Sequence, residues 1–195
     1  GFMADISTSL AKLRGLEQLM LDMYEAPEAL HRLLTFMRDG ILQNNQEAED
    51  AGHYTLTCGQ NQAMPYAEEL EDPAPDVTGV GRSRLWCFTA AQEFACVSPA
   101  MHDEFLLRYQ RPIMEKFGLS AYGCCEDLTH KIDILRQIPN LRRIAVAPAA
   151  DVARCAEQIG ADYVLSYRPS PTDMVGYGFD EERIRTILAS DLKAS

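Results

Sequence analysis

The chain has 195 residues, of which 47% are apolar and 24% charged, and this composition is typical of one soluble folded domain. The 18 basic and 29 acidic residues give a formal charge of −11, which has the wrong sign for binding nucleic acid or an anionic membrane. The longest apolar stretches, such as Ile144–Pro148, are far shorter than the roughly 20 residues that span a bilayer, and no basic and apolar leader opens the chain. We therefore expect a cytoplasmic protein.

The cysteines favour reduced thiols over disulfides. They lie mostly in apolar segments and lack the regular spacing of a small secreted disulfide framework. Their positions are Cys58, Cys87, Cys96, Cys124, Cys125 and Cys155.

Residues 5–51 are predicted to form two helices. Apolar residues recur at spacings of three and four between Leu16 and Ile41, which indicates one buried helical face. Pro27 suits the first turn of the second helix, and Gly52 is expected to end that helix.

Residues 52–83 are predicted to be mainly a long loop. Tyr54–Thr57 has the composition of a short strand. Gly59–Gly81 is rich in proline, glycine, asparagine and acidic residues, which are typical of loops.

The remaining residues, 84–195, repeat a strand, loop and helix four times within what we expect to be a single domain over 1–195. The predicted strands are Leu85–Ala91, Leu119–Cys125, Arg143–Ala147 and Tyr163–Tyr167. Helix starts are predicted at the capping residues Ser98, Asp127, Asp151 and Asp180. The first of these helices is expected to run to Gly118. Apolar strands alternating with amphipathic helices imply an α/β fold with a parallel sheet covered by helices.

Four such units suit an open doubly wound sheet or half of a TIM-type (β/α) barrel. The turn Ala90–Phe94 after the first strand is not rich in glycine, and neither of the common phosphate-binding glycine motifs occurs, which disfavours a nucleotide site. Polar or special residues instead follow each strand, where barrel folds place their chemistry. They are Gln92, Glu93, Cys124, Cys125, Glu126, Asp127, Pro148, Asp151, Tyr167 and Arg168.

The adjacent Cys124, Cys125 and Glu126 are a candidate metal site, since two thiolates and a carboxylate can hold zinc and leave one position open. Side chains alternate between the faces of a strand, so both sulfurs reach one ion only if the chain leaves the strand at Cys124. The alternative is one cysteine in the core and the other at the mouth of the barrel.

Two further strand ends carry candidate catalytic residues. Gln92 and Glu93 suit orienting a substrate and moving a proton, or Glu93 pairs locally. Arg168, with Tyr167 before it, suits a clamp for a substrate carboxylate or phosphate, or a surface ion pair.

Several segments together resemble the uroporphyrinogen decarboxylase superfamily. Ala91–Phe94, Ser98-Pro99 and Tyr109–Pro112 resemble its Q…SP…F…PY pattern. Tyr122–Glu126 falls where its methylcobamide:coenzyme M methyltransferases have His-x-Cys-Gly-Asn, with Tyr122 in place of the histidine. The resemblance implies an eight-stranded barrel, of which this chain supplies about four βα units preceded by two helices.

The resemblance also implies an activity, namely transfer of a methyl group from a corrinoid to a thiol. Zinc held by Cys124, Cys125 and Glu126 would assist it, while Gln92, Glu93 and Arg168 would orient a small-molecule or corrinoid-protein substrate. A decarboxylase-type lyase and a non-catalytic half-barrel for binding or assembly are the alternatives. Because four units cannot close an eight-stranded barrel, we expect two copies to pack as a homodimer. The alternative is a monomer in which the helices of residues 5–51 fold over the open face of the sheet.

Overall fold

The computed structural model describes residues 5–56, 66–176 and 178–194, and its centre is a parallel sheet. The sheet has four strands in the order β1-β2-β3-β4, so β1 and β4 are at its edges. The strands are β1 (Trp86–Thr89), β2 (Leu119–Tyr122), β3 (Leu141–Val146) and β4 (Val164–Tyr167). The predicted α/β class with parallel βα units is therefore confirmed.

The strand register divides the sheet into two different faces. Thr89 pairs with Tyr122, which pairs with Ile144, so these side chains share one face. The main core cluster includes residues of this face, and the helix after β3 packs against β3 and β4. The opposite face carries Trp86, Phe88, Ala121, Arg143 and Val164, all outside that cluster.

The segment 5–51 forms three helices, so the prediction of two was wrong. They are α1 (Ile6–Arg14), α2 (Leu16–Glu25) and α3 (Pro27–Asp50). Pro27 begins α3 as expected, but Gly15 also breaks the helix because it adopts a φ of 77°, outside the helical range. The apolar spacing continues across Gly15, and periodicity therefore does not reveal this break.

The predicted strand over Tyr54–Thr57 is also wrong for the residues described. Thr55 makes an isolated antiparallel bridge with Thr78, while Thr57, Cys58 and part of the predicted loop lie outside the described residues. The described part of the loop ends in a 3-10 turn over Arg82–Arg84. Arg82 is buried and donates a 2.7 Å hydrogen bond to Glu49 of α3, which fixes the entry into β1.

The predicted single helix between β1 and β2 is present from Pro99 to Met114, but it contains a π-helical turn and ends before the predicted Gly118. It consists of α4 (Pro99–His102), a π-helical turn over Asp103–Leu107 and α5 (Arg108–Met114). Ser98 caps α4 by accepting from the Met101 amide at 3.2 Å. Pro112 inside α5 has no N–H to continue the helical hydrogen-bond ladder.

Two of the remaining capping predictions are confirmed and one is wrong. Asp151 accepts from the Arg154 amide and Asp180 from the Arg183 amide, each at 3.0 Å. Asp127 instead accepts from Thr129 in a local turn, and the short helix that follows begins at Ile132. The helices after β2 are α6 (Ile132–Leu135), α7 (Val152–Ile159), α8 (Pro171–Val175) and α9 (Glu181–Ala194).

Candidate functional site

The end of β2 is set by Gly123, earlier than the predicted strand end at Cys125. Gly123 has a φ of 97°, and a Cβ there would lie 2.6 Å from Leu128 Cδ1 and 3.0 Å from Ala145 Cβ. Only glycine combines this φ with so close an approach. The chain therefore leaves the strand before Cys124, and the alternation of side chains no longer separates the two cysteines.

Cys124 and Cys125 have their sulfur atoms 3.6 Å apart. Cys124 is half-buried and Cys125 is exposed. The hydrogen bond with Cys124 and partial burial raise the pKa of the Cys125 thiol, whereas the positive charge of Arg168 acts in the opposite direction. The two thiols thus behave as one pair, next to a cation.

Glu126 is buried and faces the backbone. Its Oε1 accepts from the Ala91 amide at 2.7 Å and its Oε2 accepts from the Cys124 amide at 2.8 Å. Lys131 lies nearby, donating to the Phe94 carbonyl at 2.5 Å, and burial lowers its pKa. Glu126 therefore joins the turn after β1 to the cysteine pair.

The cysteine pair opens into a cavity of about 710 Å³ at the carboxyl ends of β2, β3 and β4. Its polar lining is formed by Cys124, Cys125, Arg143, Ser166, Tyr167 and Arg168, and its apolar lining by Pro148, Ala149, Pro169 and Pro171. None of these lining residues carries a carboxylate. Among the described lining residues, the charged side chains are the guanidiniums of Arg143 and Arg168.

Two guanidinium groups account for that charge. Arg168 donates to the Gly123 carbonyl at 3.3 Å, beside the cysteine pair. Arg143, on the opposite face to the helices, donates to the Ser166 hydroxyl. Burial and the charge of Arg168 lower the pKa of Arg143. The charge of each guanidinium therefore acts on the other across the cavity.

A second cavity of about 530 Å³ lies on the same face of the sheet. It shares Arg143 and Ser166 with the first cavity and also contains Glu69, which pairs with Arg142. The two cavities therefore meet at Arg143, on the face of the sheet opposite the main core.

Tyr167 lines the first cavity, but its hydroxyl donates to Asp191 of α9. Burial and this bond raise the pKa of Tyr167 to about 12. The phenol therefore stays protonated and joins α9 to β4.

Gln92 and Glu93 lie in a 3-10 turn after β1 and are absent from the lining of the cysteine cavity. Gln92 is exposed. Glu93 Oε1 accepts from the Thr8 hydroxyl of α1 at 2.8 Å, and its Oε2 has no hydrogen-bond partner among the described residues. The structure thus brings Cys124, Cys125 and Arg168 together at the cavity, whereas Gln92 and Glu93 lie outside its lining.

Sequence reasoning missed Arg143, although a charged residue within an apolar strand was an available signal. It also missed a buried network in which Tyr122 donates to Gln110 at 2.9 Å and contacts His102 Nε2 at 2.7 Å. Burial and the charge of Lys131 lower the pKa of His102 to about 3, so its ring is neutral. This network lies on the helix-covered face of the sheet, where His102 and Gln110 contact β2 through Tyr122.

The residues fit a zinc ion incompletely. Sulfur ligands about 2.3 Å from a tetrahedral ion lie roughly 3.8 Å apart, close to the spacing of Cys124 and Cys125. Both Glu126 oxygens are engaged by backbone amides, and no cluster of three potential ligand side chains is found in the described part of the chain. Zinc binding by Cys124, Cys125 and Glu126 stays a prediction.

Comparison with known proteins does not identify a family. No family model matches the chain, and no solved structure matches it significantly. Among the described residues, no helix combines the length and apolar character needed to cross a membrane.

Proposed function

We propose that the chain is part of a (β/α) barrel of the uroporphyrinogen decarboxylase type and that the cysteine cavity is its substrate site. The sequential strand order supports this proposal, as does a main core confined to one side of the sheet. A barrel wall has this arrangement, with helices outside and the other face toward the barrel axis. The cavity lies at the carboxyl ends of the strands, where barrels place their chemistry.

The reaction that we propose is methyl transfer from a methylcorrinoid to a thiol substrate that carries an anionic group. The observation that carries this proposal is the placement of Arg168 beside two thiols, in a cavity whose described lining residues include no carboxylate. One guanidinium binds the anionic group, and the positive charge lowers the pKa of the substrate thiol. The resulting thiolate is the nucleophile.

The step balances without a further reactant. A sulfur lone pair of the substrate thiolate forms the new S–C bond to the methyl group. The Co–C bond breaks with both electrons staying on cobalt, which passes from Co(III) to Co(I). The thiol proton is released to solvent, and the products are a methyl thioether and the Co(I) corrinoid.

The corrinoid spectrum tests this proposal. Methylcobalamin is mixed with the protein and either 2-mercaptoethanesulfonate or the neutral 2-mercaptoethanol. We expect faster demethylation with the anionic thiol, and Arg168→Gln should reduce that rate about tenfold or more, because it removes a charge-assisted contact. Arg185→Gln is the matched control, since Arg185 is exposed and pairs with Glu181 on α9. An unchanged spectrum with both thiols would contradict methyl transfer.

Zinc content is a separate test of the metal prediction. Untagged protein is loaded with zinc, desalted and analysed for bound metal. Binding near one equivalent, lost in Cys124→Ser, would support the prediction. Less than about a tenth of an equivalent of bound zinc would contradict the prediction.

A binding or assembly role is the second candidate function. β1 and β4 are edge strands, and Val164 of β4 is 52% exposed on the face opposite the main core. Exposed strand edges with apolar side chains are typical of surfaces that pair with another chain. We propose a homodimer in which two such faces pack about a two-fold axis.

A further inference from the structure

Cys124 and Cys125 are suited to reaction with each other as well as with a substrate. Their sulfur atoms, 3.6 Å apart, need to approach by only about 1.6 Å to reach the length of a disulfide bond. Gly123 has already turned the chain out of β2, and no strand pleat holds the two side chains on opposite faces.

The surroundings favour attack by a small disulfide. Cys125 is exposed at the cavity, and Arg168 places positive charge close to its sulfur. The thiolate form of a cysteine attacks disulfides, and an exposed sulfur is the one that a small disulfide can reach. Glutathione is itself anionic, and the described residues that line the cavity include the guanidinium of Arg168 and no carboxylate.

We propose that Cys124 and Cys125 are a site of reversible oxidation, at which glutathione disulfide converts the thiol pair into a disulfide between adjacent residues. The Cys125 thiolate attacks one sulfur of glutathione disulfide, forming a mixed disulfide and releasing one glutathione thiolate. The Cys124 thiolate then attacks the Cys125 sulfur and releases the second glutathione. Two electrons pass from the protein to glutathione disulfide, and the two cysteine protons end on the two glutathione molecules.

The product disulfide is easily reduced. Adjacent Cα atoms are about 3.8 Å apart across a trans peptide, whereas most disulfides join Cα atoms about 4.4–6.8 Å apart. A strained bond of this kind has a less negative reduction potential than a structural disulfide. Oxidation therefore removes both thiols from the cavity for as long as the surroundings are oxidising, and a reductant restores them.

Peptide mass analysis tests the proposal directly, because cleavage after Lys116 and Lys131 releases a peptide, residues 117–131, whose only cysteines are Cys124 and Cys125. The folded protein is incubated with glutathione disulfide, quenched in acid and alkylated. We expect the predominant form of this peptide to be unalkylated and two hydrogen atoms lighter than the reduced peptide. Treatment with dithiothreitol before alkylation should restore the doubly alkylated form. A peptide that stays doubly alkylated, or that keeps a glutathione adduct, would overturn the proposal.

Two variants separate the steps. Cys124→Ser should stop at a stable glutathione adduct on Cys125, because the second thiol is missing. In the unmodified protein the exposed Cys96 is the internal control and should give at most such an adduct. Phenylarsine oxide, which bridges paired thiols, should protect the peptide from alkylation in the unmodified protein but not in Cys124→Ser. No corrinoid is present, so failure of methyl transfer leaves the result unaffected.

Discussion

Glu126 determines the geometry of the cysteine pair, because its two oxygens hold one amide beside β1 and one beside β2. The sequence suggested a metal ligand, since a carboxylate next to two thiols has the right chemistry. Its burial and its backbone partners support a structural role instead, as a carboxylate buried this deeply has to be hydrogen-bonded.

Glu126→Gln should therefore lower the free energy of unfolding by about 1–3 kcal/mol, because the amide NH2 group cannot accept from a backbone N–H. Urea denaturation measures this change. Glu157→Gln is the matched control, since Glu157 is exposed on α7, and it should change stability by less than about 0.5 kcal/mol. Equal effects of the two substitutions would show that the Glu126 contacts contribute nothing.

His102 gives the protein a pH-dependent stability. Its pKa is about 3 in the folded chain and near 6.5 in the unfolded chain, so between these values the unfolded state binds the extra proton. The stabilisation is complete above about pH 6.5 and is lost as the pH falls toward 3, at up to about 1.4 kcal/mol per pH unit.

Comparison of His102→Gln with the unmodified protein at pH 7 and pH 5 tests this titration. Glutamine keeps a donor for the Tyr122 hydroxyl but does not titrate. We expect the unmodified protein to lose more stability between the two pH values than the variant does. Identical losses in urea denaturation would mean that His102 is not the titrating group.

At the scale of elements, the turn after β2 places Cys124 and Cys125 together at the cavity. Gly123 has a positive φ and lies against Leu128 and Ala145, so both its conformation and its packing require glycine. Gly160 at the end of α7 has a φ of 53°, but a Cβ added there would meet no atom within 4 Å, and it is therefore a matched reference.

Gly160→Ala should cost about 1–3 kcal/mol, the penalty of the backbone conformation alone. Gly123→Ala should cost a further 1–3 kcal/mol, roughly, because the new methyl group overlaps its neighbours. Urea denaturation of both variants measures the difference. We also expect Gly123→Ala to slow disulfide formation between Cys124 and Cys125, and equal stabilities of the two variants would contradict the steric argument.

At the scale of the whole molecule, the open sheet raises the question of assembly. Light scattering at micromolar concentration should give about twice the chain mass of 21.8 kDa if the faces opposite the core pair. Val164→Lys, on the exposed face of β4, should return the mass to that of one chain, since a lysine would be buried in the interface. A mass near 21.8 kDa for the unmodified protein would count against the dimer.

Local features of the sequence determined much of the architecture. The break at Pro27, the caps at Ser98, Asp151 and Asp180, and the four strands depend on residues close together in the chain. Apolar runs alternating with helical stripes imply parallel strands, because each helix returns the chain to the same end of the sheet. The sequence also located Cys124, Cys125 and Arg168 at strand ends, although not their mutual distances.

The tertiary structure alone decided how those residues are used. Glu126 binds an amide 35 residues away, Glu93 binds Thr8 across 85 residues, and Arg143 reaches Ser166 across 23. Such contacts follow from how whole elements pack, and no local spacing encodes them. Charge, polarity and periodicity in the sequence therefore predicted where the strands end. The packing of whole elements determines which side chains bind the backbone and which ones face the cavity.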